Sequence, residues 1–174
     1  PKTKAVSGDE ASDSAEEMSE HVDDRSNIQI GDRALLIVDN DQGFAQFALE
    51  SARRLGFKGI VTPLGASAIA LAGDFEPKAI LLDISLPDIE GWQILQRIKR
   101  DVSLQHIPVF IVSTTDQPER GLKLGAHGVL AKPIQTAEAL EGFLTNVRQF
   151  VDRNKRTIVV IDATDHLDRE LSHI

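Results

Sequence analysis

The sequence predicts an open α/β sheet of five parallel strands in the order 2-1-3-4-5, with helices on both faces. Three observations predict it. Short apolar runs alternate five times with segments of helical period between residues 33 and 151. The runs are three to five residues long and mostly rich in β-branched side chains, as strands buried on both faces are. Glycine and proline mark the junctions between these segments. Strict alternation with right-handed crossovers leaves few topologies, and 2-1-3-4-5 is a common doubly wound order for five strands.

The elements follow in order. A first strand at 34–38 leads to a helix over 43–55, closed by Gly56. A second strand at 59–61 leads to a helix over 66–72, with Gly73 expected as its cap. Pro77 stands just before the third strand, 79–82. In the next helix, 92–100, Trp92, Leu95, Ile98 and Lys99 fall on one stripe at i, i+3, i+6 and i+7. Pro108 precedes the fourth strand, 109–112, which is followed by a short helix over 119–124 and by Gly125. The fifth strand, 129–131, leads into the last helix, 137–151. Glycine suits the left-handed residue past a helix end, and proline, which has no N–H to give, suits the start of a strand.

Net charge is −8, from 27 acids against 19 bases, and it is unevenly spread. Residues 1–30 hold eight acids and three bases, a local net of −5, with few large apolar side chains. Such a stretch cannot bury enough surface to offset the entropy of ordering it. Residues 1–30 therefore read as an acidic interdomain linker, disordered unless it docks. Asp23-Asp24-Arg25 within it is expected to be solvated, with docking on a neighbouring domain as the alternative. Arg148, Arg153, Lys155 and Arg156 surround Asp152 and read as a solvated helix end, so no nucleic-acid partner is expected. No apolar run is long enough to span a bilayer, and no apolar signal core opens the chain. There are no cysteines, which excludes disulfide and thiolate chemistry. These features suit a cytoplasmic protein without membrane contact.

The residues that follow the strands carry the chemistry. Asp39, Asn40 and Asp41 follow the first strand and Asp83 the third. Ser113, Thr114 and Thr115 follow the fourth, and Lys132 and Pro133 the fifth. Any one of these alone reads as a helix cap, a turn former or a loop lysine. Together they bring polar groups from four strands to one edge of an apolar sheet, where doubly wound folds bind ligands. Clustered carboxylates repel one another and need a cation. The set fits a carboxylate attacking an in-line phosphoryl group, with a hard divalent cation, a lysine and a hydroxyl on the phosphoryl oxygens. Asp83, leaving the central strand, is the nucleophile candidate, with Asp39 and Asn40 opposite. The zinc-protease, P-loop and serine-hydrolase motifs are absent.

Four runs carry a family resemblance: Leu-Leu-Ile-Val-Asp-Asn-Asp at 35–41, Leu-Leu-Asp-Ile-Ser-Leu-Pro-Asp-Ile-Glu-Gly-Trp at 81–92, Val-Ser-Thr at 112–114 and Ala-Lys-Pro at 131–133. They resemble the response-regulator receiver domain over about residues 31–150. The resemblance implies a flavodoxin-like fold with Asp83 as phosphoacceptor and Mg²⁺ as cofactor. It implies that Asp39, position 40, Asp83 and the main-chain carbonyl of Ser85 hold the metal. Ser113 would be the switch hydroxyl and Lys132 the phosphate-contacting lysine, with a cis bond before Pro133. Two positions depart from the pattern. Asn40 stands where a second acid is usual, which removes one negative charge from the cation site. Val129 stands where many receivers carry an aromatic that packs inward.

After the receiver, taken as 31–153, residues 154–174 repeat the opening pattern of basic residue, apolar run (Ile158 to Ile161), Asp162 and polar helix start. They read as the truncated start of a second receiver, with a last strand and helix of the same domain as the alternative. Tandem receivers after an acidic linker resemble the C-terminal part of hybrid sensor histidine kinases. The implied partners are a histidine kinase dimerisation and phosphotransfer domain or a histidine phosphotransfer protein, together with the neighbouring receiver. Kinase catalytic residues are not part of this sequence, so enzymatic activity stays open. Beside the phosphoacceptor reading stands another: a degenerate receiver that regulates a kinase by docking or second-messenger binding, without phosphorylation.

Overall fold

The computed structural model describes residues 23–153, except 115, 116 and 135. The expected linker up to residue 22, Thr115 and the second-receiver start at 154–174 lie outside the described residues. In chain order the elements are β1 (Ala34–Val38), α1 (Gln42–Arg54), β2 (Lys58–Thr62), α2 (Gly65–Phe75), β3 (Ala79–Leu82), α3 (Gly91–Arg100), β4 (Val109–Ser113), α4 (Pro118–Lys123), β5 (Gly128–Ala131) and α5 (Ala137–Arg153). One turn of 3₁₀-helix, Arg25–Asn27, precedes them. All four strand pairings are parallel and the order is β2-β1-β3-β4-β5, the flavodoxin-like arrangement expected.

Alternation along the strands divides the core into two layers. Leu35 and Ile37 of β1, Leu81 of β3 and Val112 of β4 pack with Ala48 and Leu49 of α1 and Leu140, Leu144 and Val147 of α5. Leu36 and Val38, Ile80 and Leu82, and Ile111 face the other way, onto Ala68 of α2 and Ile94, Leu95 and Ile98 of α3. Since β1, β3 and β4 are buried along their whole length, their residues read as continuous apolar runs. Arg33, just before β1, pairs with Asp152 in the last turn of α5 at 3.1 Å, joining the two ends of the described domain.

Differences from the sequence expectation have local causes. β2 extends one residue further at each end, because Lys58 N–H donates to the Arg33 carbonyl and the Thr62 carbonyl accepts from Asp39 N–H. Gly73 does not cap α2; the helix runs through it and ends where Glu76 takes the left-handed conformation at φ 42°. Gly56 and Gly125 do occupy that conformation, at φ 81° and 97°. Lys99, on the apolar stripe of α3, is half-buried because its ammonium donates to the Ile107 carbonyl at 2.7 Å. Asp23-Asp24-Arg25 is not solvated. It lies along the outer side of β2, whose unpaired backbone groups offer it partners that a linker in water lacks.

At the opposite edge, the His127 ring stands 4.9 Å from Phe150 and 6.1 Å from Phe110. Partial desolvation beside these rings, with the Lys99 charge nearby, pushes the imidazole of this exposed residue below the ordinary histidine range of about 6.5. The folded state then holds fewer protons than the unfolded chain below that value. Stability present above about pH 6.5 is lost as pH falls towards the folded value. Urea midpoints measured from pH 7.5 to 5 are expected to fall less steeply in His127→Phe; equal slopes in the two proteins would refute this.

Candidate functional site

The register of the sheet sets two acids side by side. Val38 of β1 lies opposite Leu82 of β3, so Asp39 and Asp83 are the next residues on adjacent strands. Asp83 N–H donates to the Val38 carbonyl at 2.9 Å, fixing that relation. On the other side of β3, Ser113 of β4 lies opposite Ala131 of β5, and Lys132 N–H donates to the Ser113 carbonyl at 2.9 Å. Lys132 therefore starts its loop from a held backbone and crosses two strand positions. Its ammonium reaches Asp39 Oδ2 at 2.5 Å and Asp83 Oδ2 at 3.1 Å. It also lies 4.3 Å from the centre of the Phe44 ring, a cation–π contact from the first turn of α1. The bond before Pro133 is cis.

Both carboxylates are nearly out of solvent, Asp39 at 3% and Asp83 at 6% exposure. Two buried negative groups share one ammonium. Burial pushes the Asp39 carboxyl above the ordinary range, against the hydrogen bond from Lys132 and the N–H of Asp41, while the Asp83 charge pushes the same way as burial. Asp83 is held at its second oxygen by Ser85 N–H, at 3.1 Å. The cluster is thus short of positive charge and made of hard oxygen donors.

A hard divalent cation fits that donor set. Asp39 and Asp83 supply carboxylate oxygens, and the Ser85 carbonyl lies on the loop that Asp83 begins. Among the described residues no three His, Cys, Asp or Glu side chains gather as a metal-binding group. Asn40 follows Asp39 in the loop and is exposed. Asp41 takes no part through its side chain. It caps α1 by accepting from Phe44 N–H at 3.1 Å, while its own N–H donates to Asp39 Oδ1 at 2.9 Å. Ser113 is buried at the end of β4, one strand from Asp83. Val129 lies half-buried opposite Ile111 and packs against the core.

Three residues that shape the site escape a reading of strand ends. Phe44 supports Lys132 from a helix, and only the capping pattern Asp41-x-x-Phe44 hints at it. Asp88 accepts from Gly65 N–H and Ala66 N–H, both at 2.9 Å, and so fastens the loop after Asp83 to the first turn of α2. The N–H groups of Ala66 and Gly65 hold its carboxyl below the ordinary range. Gly91 lets α3 start hard against β3: a Cβ there would lie 2.3 Å from the Asp83 carbonyl oxygen.

Comparison with known proteins agrees with this geometry. Residues 35–143 match the model of the response regulator receiver domain. The polar-differentiation response regulator DivK of Brucella ovis is 29% identical over 112 residues, covering 63% of this chain and 91% of DivK. The DNA-binding dual master transcriptional regulator RpaA of Synechocystis is 29% identical over 125 residues, covering 70% of this chain. The chain spans only 50% of RpaA's length. In fold, the Mn²⁺-bound form of response regulator Rcp1 superposes with a TM-score of 0.59 at 22% identity, covering 74% of this chain and 99% of that one. Among the described residues no helix is long and apolar enough to cross a membrane. The strand-end acids, the lysine joining them and the family match lead to one conclusion: this chain belongs to the response regulator receiver domain family.

Proposed function

We propose that the chain accepts a phosphoryl group from a phosphohistidine onto Asp83, in a Mg²⁺-dependent reaction, as a cytoplasmic receiver module of a hybrid histidine kinase. The observation that carries this is the buried group of Asp39, Lys132 and Asp83, two carboxylates on neighbouring strands bridged by one ammonium. An Asp83 carboxylate oxygen attacks phosphorus, the bond from phosphorus to imidazole nitrogen breaks, and the imidazole leaves with a proton taken up from solvent. Lys132 stabilises charge on the phosphoryl oxygens, and the buried hydroxyl of Ser113 is one strand away to do the same. Asp39, Asn40, Asp83 and the Ser85 carbonyl would hold Mg²⁺, which supplies further neutralisation of those oxygens. Asn40 makes that site less negative than one with a second acid and so weakens its hold on the ion. The Mn²⁺-bound form of Rcp1 supports a divalent cation in this fold. The phosphodonor is a kinase dimerisation domain or a histidine phosphotransfer protein. The repeat beginning at residue 154 supports a neighbouring receiver in the same chain.

Intact-mass measurement after incubation with acetyl phosphate and Mg²⁺ tests this. One added phosphoryl group is expected, absent with chelator and absent in Asp83→Asn. No gain at any Mg²⁺ concentration would overturn it and leave regulation by docking.

A further inference from the structure

The outer side of β2 is an edge of the sheet, and an edge strand presents unpaired N–H and C=O groups. On β2 these belong to Gly59 and Val61, and residues 23–25 satisfy all four. Asp24 N–H donates to the Gly59 carbonyl at 2.8 Å, and Gly59 N–H donates back to Asp24 Oδ2 at 2.8 Å. Val61 N–H donates to Asp23 Oδ2 at 2.8 Å, and the Arg25 guanidinium donates to the Val61 carbonyl at 2.9 Å. This is strand addition carried out mostly by side chains. Asp23 Oδ2 also accepts from the Arg25 guanidinium at 2.9 Å. Arg53 of α1 grips the Asp24 carboxylate, the closer contact being 2.8 Å. Behind the triplet, Ile28 packs against the core, and Lys58 pairs with Asp32 at 2.7 Å and donates to the Asn27 carbonyl. The Asp23 side chain is 1% exposed. A buried carboxylate that accepts from the Val61 N–H and from both the backbone N–H and the guanidinium of Arg25 is a fixed contact, unlike a surface ion pair.

Direction matters as much as contact. Asp24 lies at Gly59 and Asp23 at Val61, so the chain followed towards its start climbs β2 towards the sheet's acidic end. Val61 is followed by Thr62, whose carbonyl accepts the N–H of Asp39 at 3.0 Å. We propose that β2's outer edge is a docking site whose ligand is the Asp23-Asp24-Arg25 segment of this chain. The contact forms a joint that fixes where and in which direction the preceding polypeptide meets the receiver, beside the Asp39 end of the sheet. The ligand chemistry is specific: two adjacent carboxylates for outward N–H groups, and a guanidinium for an outward carbonyl, next to the cationic Arg53 and Lys58. The joint stands on backbone and side-chain contacts alone and is independent of whether Asp83 is phosphorylated.

Amide hydrogen exchange on the full chain tests it. Gly59 and Val61, though on an edge strand, are expected to exchange as slowly as other strand amides. In Asp23→Ala/Asp24→Ala, which removes the acceptors of both amides, they are expected to lose about 100-fold in protection or more, while Ile37 and Leu81 stay slow and report that the sheet is intact. A second arm keeps the native triplet. The chain has no cysteine, so Ser19→Cys takes a single spin label. The label is expected to broaden the amides of Thr62, Leu64 and Gly65 and to spare Leu130 on the opposite edge. The proposal is overturned if Gly59 and Val61 exchange as fast as exposed Val102 in the native chain. It is equally overturned if the label broadens both edges alike.

Discussion

Lys132→Ala is expected to lower phosphoryl incorporation at Asp83 by about 100-fold or more, the scale set by losing one preorganised donor at a site of developing charge. It is also expected to destabilise the fold by about 3–5 kcal/mol at neutral pH, as breaking a buried ion pair on one side does. The reason is charge: Asp39 and Asp83 are 3% and 6% exposed, and Lys132 is the ammonium bonded to both. Removing it leaves two adjacent carboxylates facing each other with little water to solvate them. A divalent cation offers the missing charge, so added Mg²⁺ should raise the stability of the variant more than that of the parent. Urea denaturation of both proteins, in chelator and in Mg²⁺, reads the two effects together. A variant as stable as the parent in chelator would mean that the buried carboxylates do not need the lysine.

Gly91→Ala is expected to destabilise by about 3 kcal/mol, near the upper end of typical overpacking penalties. Propensity alone argues the other way, since alanine in a helix is favoured over glycine by about 1 kcal/mol. Sterics decide here. A Cβ at Gly91 would meet the Asp83 carbonyl oxygen at 2.3 Å and Ile84 Cα at 2.7 Å, both backbone atoms of the strand end that carries the nucleophile. Neither can swing aside as a side chain tip can, so α3 must lift away from β3 and Asp83 must shift with it. The matched control is Gly73→Ala on the exposed side of α2, where nothing lies within 4 Å of the added atom. That substitution is expected to stabilise by roughly 0.5–1 kcal/mol. Paired urea midpoints check the contrast, and the same sign for both substitutions would refute it.

These two glycines also mark how far the sequence could be read. Strand order followed from alternation, because β1, β3 and β4 are buried on both faces and wrote themselves as unbroken apolar runs. The reading that Asp39, Asp83 and Lys132 meet followed from their places just past strand ends, since parallel strands deliver their carboxyl ends to one edge. Gly73 misled because glycine signals a helix end only when it takes the left-handed conformation, and here Glu76 takes it instead. Gly91 was legible as part of a motif, but its reason is a close approach between elements eight residues apart, and no local pattern encodes that distance. The solvated reading of Asp23-Asp24-Arg25 failed for a related reason. A charged triplet has the composition of a linker, and only the finished sheet supplies the open edge that gives those charges partners. Phe44 beneath Lys132 belongs to the same class, a contact between chain positions far apart.

The fastening of Asp88 to Gly65 and Ala66 bears on how much slack surrounds the nucleophile. Only residues 84–87 separate Asp83 from Asp88, and only Ile89 and Glu90 separate Asp88 from Gly91, whose N–H donates back to the Ile84 carbonyl at 2.9 Å. Spans this short can take up little strain by rotating about their own bonds. A displacement of the peptide at Asp83 is therefore handed on to two helices at once, α3 through Gly91 and α2 through Asp88, so the loop works as a stiff linkage between them.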